Sequence, residues 1–146
     1  MNAYITVIDT LYSLLINDPD INTVTKGDID INKKNEFPLA HINVLSSSFD
    51  KATITFNVAV FAMDLRDLNK NTQKDKWTEN DNENENLNSM LYVLHRLYQN
   101  LSKLNENLKL TTVEALEPFT EAHMNVTDGW VMRFNVVLTE TDSGIC

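Results

Sequence analysis

The run from Lys51 to Leu65, KATITFNVAVFAMDL, constrains the fold more than any other part of the chain. Ala52, Ile54, Phe56, Val58 and Val60 fall on one face, with Thr53, Thr55 and Asn57 opposite. That period of two marks a strand with one buried side. Past Asn57 the polar side also turns apolar, through Ala59, Phe61, Met63 and Leu65. A strand end that is apolar on both faces must be covered twice, by its own chain or by a neighbour. Phe61, Met63 and Leu65 are therefore candidate interface residues.

The flanking patterns build a sheet and two helices around this strand. In Pro38 to Ser46, Ala40, Ile42 and Val44 share a face while His41 and Asn43 point the other way. The short turn Ser46 to Lys51 joins the two runs as an antiparallel hairpin. Upstream, Tyr4, Ile8, Leu11, Tyr12 and Leu15 recur at helical spacing, widened by Val7 and Leu14. Pro19 ends that helix, because the residue before a proline is pushed out of the α region. A short extended piece, Ile21 to Thr25, reaches the turn Lys26-Gly27-Asp28, and a polar loop runs on to Glu36.

Downstream, Leu87, Met90, Leu91, Leu94, Leu97, Tyr98, Leu101 and Leu104 form an unbroken helical stripe. Glu83 and Glu85 at its start, and Arg96 and Lys103 in its second half, match the helix dipole. Asn84 or Asn86 would cap it. Leu110 to Leu116 reads as a weak strand, and Ala122, Met124 and Val126 alternate with His123 and Asn125. Thr127-Asp128-Gly129 reads as a turn into a last strand whose apolar face is Trp130, Met132, Phe134, Val136 and Leu138. The order is α-β-β-β-α-β-β. It predicts a single α+β domain over residues 1–146, one antiparallel sheet with two helices packed on one face.

At 146 residues, 42% of them apolar, the chain can bury a core of that kind. Its formal net charge of −9 argues against a broad electrostatic grip on DNA or on anionic lipid. The single cysteine, Cys146, excludes an internal disulfide framework. The first residues lack a basic n-region, and no apolar run approaches the ~18 residues of a membrane span. The expectation is a protein without a membrane, made in a reducing cytoplasm.

Motifs for chemistry fail when tested residue by residue. Asp28, Asp30 and Asn32 match the first ligands of an EF-hand loop, but its sixth and twelfth positions hold Lys33 and Leu39 where Gly and Glu are needed. His41, His95 and His123 sit on three different predicted elements without metal spacing, and read as surface or interface histidines. No phosphate-cradling glycine loop is present. The expectation is a non-enzyme, with no catalytic, metal or cofactor residues.

Between the long strand and the second helix, at about 69–86, lies a polar arm with one aromatic ring, Trp77. Trp77 reads as an anchor onto a neighbour, since aromatic side chains dominate interface energetics. Glu79 and Asp81 beside it would meet a basic partner or line a channel with negative charge. The competing reading is a solvated loop whose tryptophan tucks back on its own domain.

A compact core, a two-faced strand end and a long arm describe most simply a subunit of an assembly. The runs INTVTKGDIDINKKNEFPLAHINV and TITFNVAVFAMDL, the Asn/Glu-rich start of the second helix and the closing DGWVMRFNVVLTETDSGIC resemble a family of small virion proteins. These belong to tailed bacteriophages, crAss-like and marine phages in particular. The element order is similar to that of tail-terminator, tail-completion and head–tail connector proteins. What the resemblance implies is a homo-oligomeric ring of six or twelve copies at the neck or tail. It would dock on other neck, portal or tail proteins and let DNA pass through its lumen without specific binding. The alternative is a cytoplasmic adaptor module that binds a protein or peptide.

Overall fold

The computed structural model describes residues 2–27, 37–65, 83–104, 107–122 and 127–139. Its elements run α1 (Ala3–Ile16), β1 (Thr23–Lys26), β2 (Leu39–Phe49), β3 (Thr53–Leu65), α2 (Glu83–Ser102), β4 (Leu108–Val113), β5 (Glu117–Ala122) and β6 (Thr127–Thr139). Strands β1-β2-β3-β6-β4 line up in that order, and β5 also pairs with β6. The protein is α+β, as the patterning predicts.

The long strand is the axis of the sheet. β3 pairs with β2 on one side and, over its whole length from Thr53↔Thr139 to Leu65↔Thr127, with β6 on the other. Its helix-facing side chains Phe56, Val58, Val60 and Ala62 meet Met132, Phe134 and Val136 from β6 and Ala40 and Ile42 from β2 in one core. α2 lies across β3 and β6, and α1 lies beside it toward β1 and β2. α1 buries Ala3, Val7, Leu11 and Leu15, one side chain per turn. Val7, Leu11 and Leu15 each contribute roughly 1.5–3 kcal/mol when fully buried, and the methyl of Ala3 less. Among the described residues, no helix is long and apolar enough to cross a membrane.

Three features depart from the sequence pattern. The sheet is mixed, because β1 pairs with β2 in parallel, Thr23↔Leu39 through Lys26↔Ile42. Residue alternation carries no strand direction, so an antiparallel and a parallel neighbour look alike in sequence. Gly27, in the turn the sequence predicts, follows β1 at φ +79°, a left-handed conformation that favours glycine. β2 runs on through the serines to Phe49, and the turn shrinks to residues 50–52, where the Asp50 N–H donates to the Thr53 carbonyl at 2.9 Å. Leu45 is the extra residue of a bulge between Val44 and Ser46 and stands exposed.

The end of the chain differs most. Asp128 and Gly129 lie inside β6, opposite Asp64 and Met63, and not in a turn. The glycine is there for close approach: a Cβ on it would run into the Ala62 carbonyl oxygen. The weak strand expected over Leu110 to Leu116 is β4, Leu108–Val113, and an additional strand, β5, follows it along the same edge of β6. The expected alternation through His123, Met124, Asn125 and Val126 lies outside the described residues.

Candidate functional site: an apolar groove beside the second helix

The stripe on α2 is wider than the core it covers. Met90, Val93, Leu94, Leu97 and Leu101 are buried, but Leu91, Tyr92 and Tyr98 remain exposed. Helical geometry turns Leu91, His95 and Tyr98 toward one flank, since residues three and four apart share a side. There the sheet extends beyond the helix, because β4 is added outside β6 and, among the described residues, only α1 and α2 roof the layer. The result is a groove of about 490 Å³.

Leu91, Tyr92, His95 and Tyr98 form its helical wall, and Val113 and Leu116 the opposite wall. Its floor is Leu94 and Met132. The lining is mostly apolar, with Asn88, His95 and the tyrosine hydroxyls as its polar groups. Such a surface suits burial against another apolar surface. His95, expected as a surface or interface histidine, is exposed and lines this wall.

Two polar clamps hold α2 in place and so set the groove. Near its start, buried Asn86 donates its Nδ2 to the Leu65 carbonyl at 2.9 Å and to Asp128 Oδ2 at 3.4 Å. It lies within the helix and reaches to the strands, so it is not the cap the sequence suggested. Trp130 Nε1 adds a bond to the Leu87 carbonyl at 2.8 Å. Farther along, Arg96 grips the end of α1: Nε and Nη2 donate to both oxygens of Asp18 at 2.8 Å, and Nη2 to Asp20 at 2.7 Å. This raises the guanidinium pKa further above its ordinary value, chiefly through the Asp18 hydrogen bonds. Arg96 therefore serves as a tether, and no basic residue occupies the last turn of α2.

Beneath the first clamp, Asp64 and Asp128 are cross-strand partners. Burial pushes the Asp64 carboxyl above the usual carboxylate range, the Leu65 N–H bond at 2.8 Å pulls it back, and the Asp128 charge adds to the rise. Among the described residues, no set of three or more His, Cys, Asp or Glu side chains is placed to hold a metal ion.

The residues singled out on the strand end gather elsewhere, on the face of the sheet away from the helices. Met63 is 1% exposed and packs with Phe37 and Leu39 in a second small core. Phe61, Leu65 and Phe119 pack half-buried around it. The Phe61 ring lies 6.1 Å from both the Phe119 and the His41 rings. His41, expected as a surface or interface histidine, is buried within the chain and hydrogen-bonded through Nδ1 to Thr25 Oγ1 at 2.8 Å. The chain's own Phe37 and Leu39 thus bury Met63, which is core and not free interface, while Phe61 and Leu65 on the same face stay half-exposed. Trp77, Glu79 and Asp81 lie outside the described residues.

Sequence reasoning read the α2 stripe as one unbroken apolar face and named no groove beside it. The usable signal was its excess width, with Leu91 and Tyr98 added to the positions a single sheet face can cover. Compared with known proteins, the chain matches no family model and no curated sequence.

Proposed function

We propose that the chain is a structural subunit that works by packing against copies of itself in a larger assembly. The resemblance of its strands points to the virion of a tailed phage, with the subunit in a ring at the neck or tail that DNA traverses. It would act there without catalysis or cofactor and contact neck, portal or tail proteins.

The observation that carries the reading is apolar surface exposed among the described residues. The groove beside α2 is one such surface, and Tyr4, Ile5 and Tyr12 on α1 form another. Phe49, 83% exposed at the tip of the β2–β3 hairpin, is a third. Large aromatic and aliphatic side chains grouped in this way mark protein contacts more often than chance exposure does.

The adaptor alternative draws on the same groove, which lies beside the β4 edge of the sheet and would suit an extended peptide. Two measurements separate the readings. Sedimentation of the full chain should show concentration-dependent self-association, and mass spectrometry of purified particles should find the chain at a fixed stoichiometry. A chain that stays monomeric, is absent from particles and is retained by immobilised peptides would favour the adaptor.

A further inference from the structure

We draw no further inference here: the strongest candidate, the cross-strand acids Asp64 and Asp128 beneath the Asn86 clamp where α2 meets β3 and β6, is an acidic cluster that belongs to the site already described, and nothing among the described residues points to a ligand for it.

Discussion

Asp64 and Asp128 face each other across β3 and β6, and Asn86 of α2 bridges from the Asp128 carboxylate to the carbonyl next to Asp64. Two acids and an amide thus sit where the second helix meets the sheet. The arrangement ties the helix down through polar bonds and puts an electrostatic load on one member, Asp64.

That load gives a pH-dependent prediction. The Asp64 pKa is raised in the folded chain above its ordinary 3.8, mainly by burial and further by Asp128. An acid whose folded pKa is raised destabilises the fold while ionised, and the penalty fades as pH falls through the raised pKa. Asp64→Asn keeps an oxygen to accept the Leu65 N–H. It should therefore raise the melting temperature at pH 7, with the gain vanishing below pH 3.8. A lower melting temperature at pH 7 would show that the carboxylate charge helps the fold.

Arg96 is the tether between the helices, and Asp18 beneath it is 6% exposed at its side chain. Removing the cation leaves a nearly buried carboxylate without its charged partner. Arg96→Ala should cost about 1.5–3 kcal/mol in urea unfolding, the range of hydrogen bonds to charged groups. A loss under about 0.5 kcal/mol would place the pair with ordinary surface ion pairs.

Gly129 sits where β6 passes close to the Ala62 carbonyl. A methyl group there must push β3 and β6 apart at backbone, which cannot yield as a flexible side chain can. Gly129→Ala should destabilise by at least the ~1–3 kcal/mol of overpacked cores, whereas Gly27→Ala meets no neighbour and strains only its positive φ. Equal losses at the two sites would contradict the close approach.

Met63 belongs to the small core behind the sheet, so its substitution acts on folding and not on assembly alone. Met63→Ala should cost about 2–5 kcal/mol, and Met63→Asp should abolish the cooperative thermal transition. The half-buried Phe61→Ser should be milder, since its ring already touches solvent. A folded, fully stable Met63→Asp chain that fails only to assemble would return this residue to an interface.

The sequence by itself determined the two helices, the long paired strands and the helix-facing core, from Phe56 and Val58 to Phe134 and Val136. Those follow from periods of 3.6 and 2, which any chain must obey to bury one face of an element. It also exposed the second apolar face of β3. Only the tertiary structure decided what covers that face, because Phe37 and Phe119 come from distant parts of the chain and no local pattern joins them. The parallel pairing of β1, the strand role of Gly129 and the groove beside α2 are likewise relations between elements. A strand records which side is buried but not its neighbour's direction, and a helix stripe records apolar width but not how much of it a sheet will cover.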